Sequence, residues 1–209
     1  MEEKKDVLVD APEEKQTEEK SDWRRDLYEW LQILVLVLVC VIGLFTFVVG
    51  IVGVDGSSMY PTLHDRDVMI VQRLAYTPKS GDVIVLRKDN TFQDRALVKR
   101  IIATGGQTVY IDYDANTITV DGVVLDEPYI NRERDSHYGD DPMAVRTDLD
   151  HRYINTEFTV PEGYLFVCGD NRNNSSDSRV AELGMVDERY VLGHVLFVLF
   201  PFTHFGGVG

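Results

Sequence analysis

Leu97-Val98-Lys99-Arg100-Ile101-Ile102, then Val109 to Tyr113, Thr117 to Val120 and Val123 to Leu125, is the stretch whose reading decides the fold. Each piece is short and rich in Val, Ile, Thr and Tyr, residue types that fit a pleated, half-buried surface. The breaks between them carry turn chemistry. Asp114-Ala115-Asn116 separates the second piece from the third in the manner of a hairpin, and Asp121-Gly122 is a strong turn signal before the fourth. Four strand-like runs with no long helical periodicity predict an antiparallel β-domain.

Outward from this stretch the pattern repeats. Val68 to Val71, Val83 to Leu86, Tyr164 to Val167 and Val195 to Leu199 are further strand-like runs. Many short strands with Gly, Asp and Asn turns argue for a sheet folded over on itself or a barrel. Ala181 to Leu192 has room for one short helical turn. Residues 126 to 159 are polar and weakly patterned, and read as a long loop or small cap.

The N-terminal part has a different character. Residues 1 to 30 hold eleven Asp or Glu and six Lys or Arg, and read as a mostly disordered acidic tail. From Leu31 to Val54 no charge appears in 24 residues. A helix of that length exceeds the roughly 30 Å hydrocarbon core of a bilayer. Trp23, Tyr28 and Trp30 precede it, as in an interfacial aromatic belt. A cleaved secretory signal has a short basic head rather than a long acidic one, so an uncleaved anchor is expected. Lys15, Lys20, Arg24 and Arg25 lie before the run, and the next Lys or Arg is Arg66. The excess of basic residues places the tail in the cytoplasm and residues 55 to 209 outside.

The whole chain has 209 residues and a formal net charge of −14. No Lys/Arg stripe is present, so nucleic-acid binding is not expected. Cys40 and Cys168 are far apart and form no C-x-x-C pair, so no disulfide framework is expected.

Three stretches carry chemistry. Gly56-Ser57-Ser58-Met59-Tyr60-Pro61-Thr62-Leu63 follows the apolar run, with a flexible Gly and a rigid Pro around the serines. A turn of this kind presents a serine hydroxyl and its own N–H together, suited to attack on a carbonyl and to holding the oxyanion. Lys99 interrupts an apolar strand and shares, by two-residue alternation, the face of Leu97 and Ile101. Burial of an amine lowers its pKa, which makes it a usable base near neutral pH. Gly169-Asp170-Asn171-Arg172-Asn173-Asn174-Ser175-Ser176-Asp177-Ser178-Arg179 is a dense polar loop directly after a strand. Taken singly, these are a linker, an edge-strand lysine and a surface loop.

Taken in order, they resemble the type I signal peptidase family. Residues 58 to 63, S-M-Y-P-T-L, are similar to its nucleophile segment. Residues 80 to 86, S-G-D-V-I-V-L, are similar to its next strand. Residues 98 to 106, V-K-R-I-I-A-T-G-G, are similar to its lysine segment, and residues 169 to 179 to its last one. The resemblance runs over about residues 20 to 205 and implies a mainly β, LexA-like folded-over sheet with one N-terminal transmembrane helix.

It further implies a serine endopeptidase that removes signal peptides from exported preproteins after A-x-A-like sites. Ser58 is the nucleophile and the donor of one oxyanion N–H, and Lys99 is the general base. Ser175 orients the Lys99 amine, with Asp177 and Arg179 as a supporting ion pair. Val54, Met59 and Val98 line the pockets for small side chains. Gly56 stands where some members have a second oxyanion-binding serine, and Ser80 where most have Arg. Lys99 in place of His places the chain with the bacterial form. Preproteins and the lipid bilayer are the implied partners; no cofactor or metal is implied. The rival readings are another Ser/Lys peptidase on the same kind of sheet, a Ser/His/Asp protease using one of His64, His137, His151, His194 or His204, and a non-catalytic anchored β-domain.

Overall fold

The computed structural model describes residues 23–88, 95–113, 115–131 and 157–208. The acidic tail up to residue 22, Asp114, His137, His151 and most of the expected 126–159 cap fall outside them.

The N-terminal helix α1 spans Trp23–Gly43 and exposes its apolar side chains throughout. A π-helical turn, Leu44–Val48, continues it. The chain then changes character. Val49–Gly53 is strand β1, paired antiparallel with β2, Val68–Gln72. The apolar run read as one span over 31–54 is therefore divided between helix and sheet. The residues explain the break. Val49-Gly50-Ile51-Val52-Gly53 combines β-branched residues with two glycines, a poor helix and a good strand when a free edge is offered.

Most of the next strands fall where the sequence places them: β3 Val83–Leu86, β4 Leu97–Thr104, β5 Thr108–Asp112, β6 Thr117–Val120, β7 Val123–Val124 and β9 Tyr164–Cys168; β8, Glu157–Thr159, lies within the stretch read as a loop or cap and becomes a strand by pairing with β5. They are followed by β10 Val186–Asp187, β11 Val191–Phe200 and β12 Gly206–Gly207. The short helical turn expected within 181–192 is a 3-10 turn at Glu188–Tyr190, and β11 begins directly after it. Strand β11 is thus longer than the apolar run Val195 to Leu199 suggested, because pairing with both β2 and β3 extends it through Gly193 and His194.

One sheet runs β1-β2-β11-β3-β4-β9-β10, with β12 on β11; the other runs β7-β6-β5-β8. Every pairing among the described strands is antiparallel. The β6–β7 turn has Asp121 and Gly122 both at positive φ, as a two-residue hairpin turn requires.

Alternation along β3 shows how the large sheet is packed. Val83 and Val85 join a core with Met59, Leu63 and Met69, whereas Ile84 and Leu86 join another with Ile101, Leu165 and Val167. Both faces of β3 are buried, which is why it reads as a continuous apolar run. Full burial of each Leu, Ile or Met side chain contributes about 1.5–3 kcal/mol. Strand β4 lies next to β3, with Lys99 opposite Ile84. That register carries a lysine into the middle of the domain.

Candidate active site

Ser58 sits in the turn between β1 and β2. Backbone bonds from Tyr60 N–H to the Ser57 carbonyl (3.1 Å) and from Leu63 N–H to the Met59 carbonyl (2.9 Å) shape it. Met59 and Leu63 are buried, so the turn is pinned from below. From the other side comes the loop after β9. Asn171 donates its backbone N–H to the Ser58 carbonyl (3.0 Å) and its side-chain amide to the Ser57 carbonyl (3.1 Å). The Asn174 amide donates to Ser57 Oγ (3.1 Å), and the Thr62 hydroxyl donates to Asp170. Two segments more than a hundred residues apart in sequence are thereby laced together.

Lys99 Nζ donates to Ser58 Oγ at 2.8 Å. The lysine is 2% exposed. Burial lowers its pKa from the ordinary value to about 8, against the opposing pull of Asp177. At pH 7 about a tenth of the amine is therefore neutral and able to accept a proton, far more than for an ordinary lysine. The Ser58 N–H donates to nothing among the described residues, so it is free for an incoming oxygen. The Gly56 N–H is already given to Asp65 Oδ1 (2.8 Å). Gly56 holds φ at +103°, in the region where a Cβ brings strain.

The expected bond between Ser175 and Lys99 is not formed. Ser175 is buried with its hydroxyl against Gly169 and beside the Asp177 carboxylate, whose ionised form it favours, and it makes no hydrogen bond to Lys99. Asp177 and Arg179 do pair, through Nε–Oδ1 and Nη2–Oδ2 contacts of 2.8 Å each, both fully buried. Burial alone would raise the Asp177 carboxyl. The Arg179 charge, its hydrogen bonds and the Gly169 N–H hold it below the usual carboxylate range instead.

Two further buried ion pairs were not legible in the sequence. Arg100 forks onto Asp170 (2.9 and 2.8 Å) while donating to the Gly81 carbonyl (2.7 Å), and its guanidinium lies 3.9 Å from the Tyr129 ring. Arg172 forks onto Glu127 and donates to the Gly169 carbonyl (3.0 Å). Bidentate pairing of this kind fixes geometry as well as charge. The available signal was the excess of Arg and Asp in residues 169 to 179, which demanded partners that the sequence does not identify. Ser80, in the place of the expected Arg, donates its hydroxyl to the Ile102 carbonyl (2.7 Å).

Val54 and Met59 belong to one buried cluster, and Val98 packs against it half-buried. Strand β9 pairs with β4 only from Arg100 onward, so Leu97 to Lys99 have no strand partner on that side. An apolar shelf thus borders an open strand edge next to Ser58. Cys168 is buried and its thiol pushed up to about 12 by desolvation, which removes it as a thiolate nucleophile. His194 lies 3.7 Å from Asp82 and stacks on Tyr76, and His64 and His204 gather around Asp67. Among the described residues no histidine hydrogen-bonds Ser58.

Residues 27–200 match the family model described as signal peptidase, peptidase S26. A signal peptidase I from Bacillus licheniformis is 34% identical over 191 residues, covering 90% of this chain and 96% of the relative. A signal peptidase I S from Bacillus subtilis (strain 168) is 34% identical over 188 residues, covering 86% of this chain and 92% of the relative. A crystal structure of a signal peptidase I from Enterococcus faecalis V583 is 30% identical, with a TM-score of 0.41 over 57% of this chain and 97% of that one.

Proposed function

The chain belongs to the peptidase S26 signal peptidase family as a signal peptidase I, a serine endopeptidase acting on preproteins, and we propose that Ser58 and Lys99 are its catalytic pair. The observation that carries this reading is the 2.8 Å contact between Lys99 Nζ and Ser58 Oγ, made by a lysine whose pKa burial lowers to about 8.

An extended signal peptide adds itself along the open Leu97–Lys99 edge, with small side chains seated against Val54, Met59 and Val98. A shallow apolar shelf admits Ala and excludes bulk, which is the basis of A-x-A-like selection. Neutral Lys99 takes the Ser58 proton while Ser58 Oγ attacks the scissile carbonyl carbon. The negative charge that develops on the carbonyl oxygen is met by the Ser58 N–H. As the C–N bond breaks, Lys99 gives its proton to the leaving amine, and the mature protein departs. Lys99 then takes a proton from water, whose oxygen attacks the acyl-enzyme carbonyl; as the C–Oγ bond breaks, Lys99 returns that proton to Ser58 Oγ and the signal peptide leaves with a free carboxylate.

Asp177 with Arg179, and Ser175 beside Gly169, support the site rather than touch the reacting atoms. Helix α1 is the proposed single membrane anchor, supported by its length and charge-free composition from Leu31. The basic residues before it favour a cytoplasmic N-terminus. Phe202 and Phe205, 79% and 61% exposed, are proposed to seat the domain in the lipid interface.

The test uses purified full-length protein and a preprotein ending its signal in A-x-A. Ser58→Ala and Lys99→Ala are each expected to lose cleavage while their circular dichroism stays that of the wild type. Substantial cleavage by either folded variant removes the assignment.

A further inference from the structure

His64 and Asp67 lie in the turn that leads into β2, and His204 ends the 3-10 turn Phe202–His204 after β11. The fold brings these two remote segments together. The Asp67 side chain is buried, with Oδ1 2.9 Å from His204 Nδ1. Its Oδ2 accepts the His64 backbone N–H at 2.8 Å and lies 3.9 Å from His64 Nδ1. The two imidazoles stack, with ring centroids 4.1 Å apart. His64 Nδ1 is itself buried and has no hydrogen-bond partner among the described residues.

We propose that His64, Asp67 and His204 form a binding site for one divalent first-row transition ion, with Zn2+ as the representative case. Their donor atoms all lie within 4.8 Å of one another. Such an ion holds nitrogen and oxygen ligands at about 2.0–2.2 Å, and the stacked imidazoles, 23° from parallel, must rotate out of their stack to aim their in-plane lone pairs at one centre with the carboxylate. Two imidazoles and one carboxylate suit Zn2+, Ni2+ or Cu2+, whereas Mg2+ and Ca2+ prefer all-oxygen sets. The buried His64 Nδ1, without a hydrogen-bond partner among the described residues, gains a partner in the ion. The His64 N–H, bonded to the Asp67 carboxylate, orients that ligand in the way outer contacts steady metal ligands. His204 is partly open to solvent, which supplies an entry path and room for a water ligand.

Neither Ser58 nor Lys99 is a ligand. The ion instead ties the segment downstream of Ser58 to the C-terminal segment, and it stabilises the folded chain because the unfolded chain does not hold the three donors together.

Full-length protein in detergent is stripped with a chelator and dialysed against Zn2+ or, separately, Mg2+. Bound ion is counted by elemental analysis, and the melting temperature is recorded. Wild type is expected to hold one more Zn2+ per chain than His204→Ala or His64→Gln. Its melting temperature should rise with Zn2+ and not with Mg2+, and the rise should vanish in both variants. His204 lies exposed in a turn, so its replacement leaves the core intact. The comparison also subtracts ions held by the acidic tail or by His137 and His151. Equal Zn2+ counts in wild type and both variants overturn the site, as does a wild type that binds none.

Discussion

Gly169 lies so close to Ser58 that a Cβ at position 169 would overlap the Ser58 carbonyl oxygen, and would overlap Ser175 Oγ as well. The same carbonyl accepts the Asn171 N–H, so the loop and the Ser58 turn are held as one unit. Gly169→Ala must therefore displace the Ser58 turn or the loop. Overpacking a rigid site costs about 1–3 kcal/mol, and displacement of a reacting atom by about 1 Å costs on the order of a hundredfold in rate. The expected outcome is a folded protein with a modestly lowered melting temperature and turnover reduced by about two orders of magnitude. Single-turnover cleavage of a preprotein checks it; near-normal turnover would show that the turn tolerates the shift.

The pH dependence follows from Lys99. Its pKa is lowered to about 8 by burial, and only the neutral amine can act as base. Cleavage should rise with pH below about 8 and level off above it. Stability follows the same sign. The unfolded chain keeps its lysine protonated up to about 10.4, whereas the fold releases that proton near 8. The cost of burying the charge is thus present below about 8 and fades as pH rises across the window between the two values. Lys99→Met should be inactive and melt higher than wild type at neutral pH. A Lys99→Met protein that melts lower would place the lysine in a net stabilising contact.

Asp177 and Arg179 are both fully buried, so removing one charge strands the other. Asp177→Asn is expected to destabilise by about 3–5 kcal/mol. Because the fold holds the Asp177 carboxyl low, its contribution is present above the ordinary carboxylate range and is lost as pH falls through its folded value. Asp177 also works to raise the Lys99 pKa. The folded fraction of Asp177→Asn should therefore show its activity midpoint shifted to lower pH. Thermal melts and a pH–rate profile read the two effects separately.

Strand β1 sets where an anchorless protein can begin. A fragment starting at Asp55 loses β1 and exposes the edge of β2, together with Val54 from the core. A fragment over 49–209 retains both. The longer fragment is expected to fold cooperatively and bind lipid vesicles, and the shorter to melt at lower temperature. Phe202→Ser with Phe205→Ser should weaken vesicle sedimentation of the longer fragment without changing its melt. Unchanged sedimentation would mean that those two rings do not meet the lipid.

Much of this protein is determined locally and was legible before folding. Strands β2 to β7 and β9 follow from short β-branched runs and turn residues, because a strand's two-residue period and a turn's φ requirements are properties of neighbours in sequence. Ser58 and Lys99, the proposed pair, could be singled out because each stands in an ordered stretch of recognisable spacing. Other features were decided only by tertiary structure. The apolar run 31–54 gave no sign of where helix ends and strand begins, since Val49–Gly53 becomes a strand through β2's free edge. Arg100 with Asp170 and Arg172 with Glu127 pair across gaps that no local pattern encodes. Ser175 shares a loop with Asp177 and packs against Gly169, yet it forms no hydrogen bond to Lys99. The sequence supplies an amine, but its protonation depends on how much water the surrounding chain removes. Ser58, Cys168 and Asp177 converge on Lys99 from distant parts of the chain. Desolvation and Coulomb interaction act through space, so only the folded arrangement lowers the pKa of this lysine far enough for the role of base proposed for it.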